Sequence, residues 1–148
     1  MSMAGFFQAV PANDIGAFAA DHALIDAKLW GNREQNAVLA IDVETAWDVL
    51  NALVGEIGLG LGIFVENAMS NGCVLISAQA VQSQAQRMAH FTHEILLQKL
   101  EALSDDTDLY HFAVYQDDPD YLLEQFAKLQ TFYQQAAAQN LGVVAYIA

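Results

Sequence analysis

Apolar positions along the chain alternate between continuous runs and a three-to-four-residue repeat, and each change of period marks an element boundary. The run MAGFFQAV (3–10) is apolar, rich in aromatics and stops at Pro11, which predicts a strand. A short helix is expected over 13–20, with Asn13 or Asp14 able to cap it, whereas 21–36 carries no clear pattern. NAVLAID (36–42) predicts a brief strand leading into a helix. Asp42 stands at the N-cap of that helix, Glu44 suits the positive end of the helix dipole, and Val43, Ala46, Trp47, Leu50, Leu53 and Val54 repeat at helical spacing. Gly55 then ends it, as a glycine just past a helix commonly does.

Beyond a glycine-rich stretch, IFVENAM (63–69) reads as a helical turn and CVLI (73–76) as a strand or an extended entry segment. Ser77 is placed to cap a long helix reaching about Leu103, with Val81, Ala85, Met88, Ile95, Leu96, Leu100 and Leu103 on its inner side and a break expected between Phe91 and His93. SDDTD (104–108) is a polar loop. LYHFAVYQ (109–116) alternates as a strand does, an irregular segment being the other reading. The clearest signal follows: Asp118 at the N-cap, Pro119 at the first helical position, Asp120 in the first turn, and Leu122, Phe126, Leu129, Tyr133 and Ala136 or Ala137 along one face as far as Asn140. LGVVAYIA (141–148) is the nearly continuous apolar run of a strand buried on both faces. The elements add up to a helix-rich α+β single domain over 1–148, with a small sheet that includes the N- and C-terminal strands.

Composition narrows what such a domain does. At 148 residues one core is expected, and 55% hydrophobic against 16% charged residues excludes a disordered chain. Eighteen acidic residues face five basic ones, for a net charge of −13. Lys28, Arg33, Arg87, Lys99 and Lys128 are scattered singly, so the basic footprint that nucleic acid or anionic lipid requires is missing. The acidic excess favours either plain solubility or association with a basic protein partner. Cys73 is the only cysteine, which excludes an intrachain disulfide and points to a reducing compartment. The first residues lack the basic and apolar regions of a signal peptide, and no apolar run has the roughly 18 residues of a membrane span, so the expected location is cytoplasmic.

The motifs that resemble chemical signatures fail on their neighbours. GEIGLGLGIFVENAMSNG clusters Gly55, Gly58, Gly60 and Gly62, yet a helix precedes them where a phosphate loop needs a strand, and Glu56 and Glu66 repel an anion. It reads as a connector, flexible or closely packed. HFTHE sets His90, His93 and Glu94 at spacings that a metal site can use, with His22 and His111 elsewhere in the chain, but matches no metalloprotease signature and implies no metal. The carboxylate pairs Glu44/Asp48, Asp105/Asp106 and Asp117/Asp118/Asp120 fall in loops and first turns, where capping and solvation account for them. Cys73 has no base beside it in sequence and reads as a buried small hydrophobe. The remaining candidate is a pocket in which Trp47, Tyr110 and Tyr133 supply walls and Asp42 and Asn51 polar contacts; a core with bonded tyrosine tips is the competing account.

IDVETAWDVLNALVG, ENAMSNG and the final LYHFAVYQDDPDYLLEQFAKLQTFYQQAAAQNLGVVAYIA together resemble the YfbM-like family, a bacterial domain of unknown function, over nearly the whole chain. Asp42, Trp47, Leu50, Leu53 and Gly55 carry its first element, and Tyr121, Leu122, Phe126, Leu129, Phe132 and Tyr133 its last. Thr45 and Asn51 stand where members often have Lys and His, so no cation or imidazole role carries over there. The resemblance implies an α+β bacterial domain and brings no activity or cofactor with it. The expectation is a non-catalytic binding or interaction domain, the alternative a small enzyme or small-molecule binder that uses the Trp47/Asn51 helix.

Overall fold

The computed structural model describes residues 2–30, 36–104 and 107–148. Five strands form one antiparallel sheet in the order β2-β1-β5-β4-β3: β1 Gly5–Pro11, β2 Leu39–Asp42, β3 Ile63–Val65, β4 Cys73–Ile76 and β5 Leu141–Ile147. As expected, the terminal runs are strands of one sheet, and the structure adds that they pair directly along their length, from Gly5 with Ile147 to Pro11 with Leu141. Period-two alternation gives the sheet two buried faces. Phe7, Ala9, Val143 and Ala145 face a large core, while Val10, Leu75, Val144 and Tyr146 face a smaller one. This double burial explains why the C-terminal run is apolar at successive positions.

Helices cover both faces. The smaller core is closed by α1 Ala12–Ala20 and α2 Ala23–Leu29, which bury Ile15, Phe18, Ile25 and Leu29. The larger one is closed by α3 Trp47–Val54, α4 Ala78–Ala89, α5 His93–Glu101, α6 Phe112–Asp117 and α7 Pro119–Ala138. The cap signals hold at α4 and α7. Ser77 Oγ accepts from Ala80 N at 3.1 Å, and Asp118 Oδ1 accepts from Tyr121 N at 3.2 Å with Pro119 opening the helix. The expected break before His93 is present: Thr92 caps α5 by accepting from Ile95 N, and Gln130 Nε2 on α7 donates to the Met88 carbonyl at 3.0 Å as α4 ends.

Four expectations need correction. First, the segment 109–116 is not a strand. His111 adopts φ +54°, and α6 begins at Phe112, burying Phe112 and Tyr115 one turn apart against the larger core. Second, IFVENAM does not form a helical turn. Its Ile63–Val65 pairs with the edge of β4, because β-branched and aromatic residues complete an otherwise open strand better than a lone turn does. Third, 21–36 contains α2, hidden because only Ile25 and Leu29 anchor it; 31–35 lie outside the described residues, as do Asp105 and Asp106. Fourth, Asp42 ends β2, shorter than the 36–42 run, and does not cap an α-helix. Its Oδ1 accepts from Glu44 N at 3.1 Å, and a 3-10 turn at Glu44–Ala46 leads into α3.

The glycine stretch is packed tightly. Gly55 ends α3 at φ +76°. Gly58 lies at φ +151°, and a Cβ there meets Phe7 at 2.7 Å and the Tyr133 hydroxyl at 3.1 Å. The backbone before it is tied down on three sides. Arg87 donates to the carbonyls of Val54 and Glu56, Gln84 Nε2 donates to Glu56 O at 2.7 Å, and Tyr133 donates to Ile57 O at 2.8 Å. Among the described residues no helix is long and apolar enough to cross a membrane.

Gly58→Ala combines a disfavoured φ with overpacking and is expected to destabilise the fold by roughly 2–4 kcal/mol. Gly16, inside α1 with nothing within 4 Å of where an alanine methyl would stand, behaves oppositely: Gly16→Ala should stabilise by about 0.5–1 kcal/mol. Urea midpoints for the two variants, at unchanged slope, check both signs.

Candidate functional site

Trp47 opens α3 and projects from its first turn, and Tyr110 lies in the turn before α6. The fold brings these two together, stacked with ring centroids 5.3 Å apart and planes 28° off parallel. Each grips the N-terminal segment through the same residue. Trp47 Nε1 donates to Met3 O at 2.9 Å, and Met3 N donates to the Tyr110 hydroxyl at 2.8 Å. Asp48, one residue after Trp47, accepts from Tyr110 N at 2.9 Å and holds the turn in place.

The other three predicted residues lie elsewhere. Asn51 and Tyr133 meet at Ile57: Asn51 Oδ1 accepts from its N–H at 3.2 Å, and Tyr133 donates to its carbonyl. Tyr133 is fully buried, and burial drives its phenol far above the ordinary value despite the opposing field of Arg87. Asp42 is occupied with Glu44 N.

Of the five, Trp47 borders an open cleft, of about 290 Å³. Leu59 and Phe64 stand with it as walls, and Val74, Ala145 and Ile147 belong to the strands beneath. Phe64 is 62% exposed. Cys73 also borders the cleft, but burial, helped by the Asp26 carboxylate, pushes its thiol up to about 11. Such a lining offers aromatic and aliphatic contact and no thiolate at neutral pH.

The sequence profile of a domain of unknown function, DUF1877, matches residues 1–146 of the chain. The chain belongs to the DUF1877 family. Among solved structures, this DUF1877 protein is similar to YfbM from Escherichia coli, a protein of unknown function, at 14% identity, with 98% of this chain and 99% of that chain covered and a TM-score of 0.68. That likeness is one of fold. No curated protein matches the chain. The residues that carried the YfbM resemblance occupy the β2–α3 passage and the buried face of α7, so the family pattern in this DUF1877 chain is mostly core.

The remaining candidates separate in space. His90 caps the C-terminal end of α4 and His93 begins α5, so the Thr92 cap interrupts the helical spacing on which a shared face depended. Among the described residues no group of three or more His, Cys, Asp or Glu side chains is placed to hold a metal ion. Glu44 and Asp48 diverge: Asp48 binds Tyr110 N, while Glu44, at φ +52°, sits beside Tyr115, whose hydroxyl lies 2.6 Å from Thr45 Oγ1. Sequence reading passed over Arg87 as a scattered cation. Its guanidinium bonds the Val54 and Glu56 carbonyls and, at 2.7 Å, Gln84 Oε1, a task that no local pattern announces because its carbonyl partners lie some thirty positions away.

The Cys73 thiol titrates at about 11 in the folded DUF1877 chain against 9.0 without the fold, so folding favours its protonated form. Its contribution to stability is complete below pH 9 and is lost as pH rises towards 11. The expected result is slow iodoacetamide labelling of the native protein at neutral pH, rapid labelling in urea, and an alkaline fall in urea midpoint that is smaller in Cys73→Ala.

Proposed function

We propose that this DUF1877 protein is a non-catalytic binding domain of the bacterial cytoplasm whose acidic surface receives a basic protein. The observation that carries this reading is charge without internal neutralisation. Eighteen acids face five bases, and among the described residues only Lys28 and Asp14 form an ion pair, at 2.6 Å. A field of that sign steers a basic partner into encounter and repels acidic competitors. Complexes formed this way weaken steeply as salt rises. Pull-down from the native host at low ionic strength is expected to recover a basic protein that elutes as salt is raised and is lost when Asp117, Asp120 and Glu124 are changed to Lys. Recovery of no basic protein above background would sink the proposal.

The Trp47 cleft supports a second reading, a small-molecule site for a flat apolar or aromatic group, because the exposed Phe64 ring and the Trp47 ring border the same opening. A thermal-shift screen of aromatic metabolites, followed by Trp47 fluorescence, tests it. A ligand present at 100 times its Kd adds about 2.7 kcal/mol of stability. A screen with no shift, or a shift unchanged in Phe64→Ser, counts against the cleft.

A further inference from the structure

We infer that the groove between β2 and α7 captures an extended peptide segment of the partner, basic at its N-terminal end, by adding it as a sixth strand to the sheet. This inference rests on the binding-domain reading above and names the surface and the chemistry of the occupant.

The backbone of β2 makes the first half of the argument. β2 is an edge of the sheet, with β1 on one side only. The Val43 N–H bonds Gly5 O at 2.9 Å, and the register pairs Phe7 with Ile41 and Ala9 with Leu39. Mutually bonded pairs alternate along an antiparallel ladder, so Leu39 and Ile41 direct their N–H and C=O groups at β1. Ala40 directs its own away from β1, is exposed, and bonds no described residue across the open edge. An edge of this kind pairs with any extended chain that has access to it.

The side chains make the second half. Leu39 and Ile41 turn towards the larger core and, with the exposed flank of α7, enclose a groove of about 530 Å³. On α7 the lining comes from Glu124, Ala127, Lys128, Thr131 and Gln135, three or four residues apart, with Phe132 at depth. A strand laid against β2 sends every second side chain into this groove and the others to solvent. The combination of edge amides and an apolar trough fits an extended segment, whereas a docked helix would leave Ala40 unpaired.

Charge fixes the occupant and its direction. β2 and β5 are both antiparallel to β1, hence parallel to each other, and α7 turns directly into β5 after Asn140, so α7 runs against β2. The N-terminal end of α7, with Asp120 and Glu124 and with Asp117 just before it at the end of α6, therefore lies at the end of β2 that carries Asp42 and leads to Glu44. Lys128 is the cation within the groove, and Thr131 and Gln135 at the far end are neutral. A peptide added antiparallel to β2, as every other strand in this sheet is paired, begins at the acidic end. Its first residues are the ones that meet the carboxylates, which selects Lys or Arg there. A second copy of this chain is opposed by its own charge of −13.

Selection of a phage-displayed random peptide library on the intact protein tests this. The expected outcome is enrichment of peptides with Lys or Arg ahead of an alternating apolar run, and slowed hydrogen exchange at the Ala40 amide when a synthesised winner binds. Thr131→Trp, at an exposed position, fills the groove and should abolish binding. Ala40→Pro removes one edge donor and should weaken it about tenfold, and Glu124→Lys should weaken basic peptides more than neutral ones. Winners that bind Thr131→Trp as well as the parent protein, or that leave Ala40 exchange unchanged, overturn the groove while the acidic-surface reading stands on its own pull-down. A library that enriches nothing overturns the groove too, and an empty pull-down beside it removes both readings.

Discussion

Residues Gly5–Pro11 hydrogen bond along their length with Leu141–Ile147, and that antiparallel pair is the inner part of the sheet on which both cores are built. It joins the two ends of the chain, so the entropy of closing nearly the whole polypeptide opposes its formation. Burial on both faces offsets that cost: Phe7 and Ala145 pack under α7, while Val144 and Tyr146 pack under α1 and α2. Met3 extends the constraint beyond the sheet, because the N-terminal segment is gripped by Trp47 and Tyr110 from two different elements. The aromatic stack that resembles a binding site is thereby also a clasp for the chain's beginning.

The second constraint is the connector after α3. The end of a helix leaves carbonyls in need of donors; here Arg87 donates to Val54 O at the end of α3, and Gln84 and Tyr133 bond the connector carbonyls of Glu56 and Ile57 that follow. With no side chain on Gly58, Phe7 and Tyr133 close over the backbone. The glycines are thus a packing device that allows three elements to meet. The same arrangement removes Asn51 and Tyr133 from any open site and occupies the cation that an anion would seek.

Much of the fold is legible locally, and the reasons differ by element. α7 is plain because Asp118, Pro119 and Asp120 act through bonds within a few residues and because its apolar stripe is long. The division between α4 and α5 is plain because Thr92 is a cap. By contrast, α6 is one short helix with its apolar residues arranged almost as a strand would have them, and its form follows from the His111 turn and from packing against α7. β3 needed the open edge of β4 before three apolar residues chose to extend. The candidate site was legible only in its residue types: that Trp47 would stack on Tyr110 while Tyr133 turned to Ile57 depends on partners far away in sequence.

By itself the sequence determined the α+β class, the place of its two terminal runs in one sheet, the family and the charge of −13, because those depend on periodicity, on caps a few residues apart and on composition. Tertiary structure decided which polar side chains are used up internally, which aromatic rings border an opening, and that β2 lies at an edge beside α7. These are outcomes of long-range packing. Each residue's neighbours come from elements far along the chain, and whether a hydroxyl, a guanidinium or an amide is free is settled only by what the fold places against it.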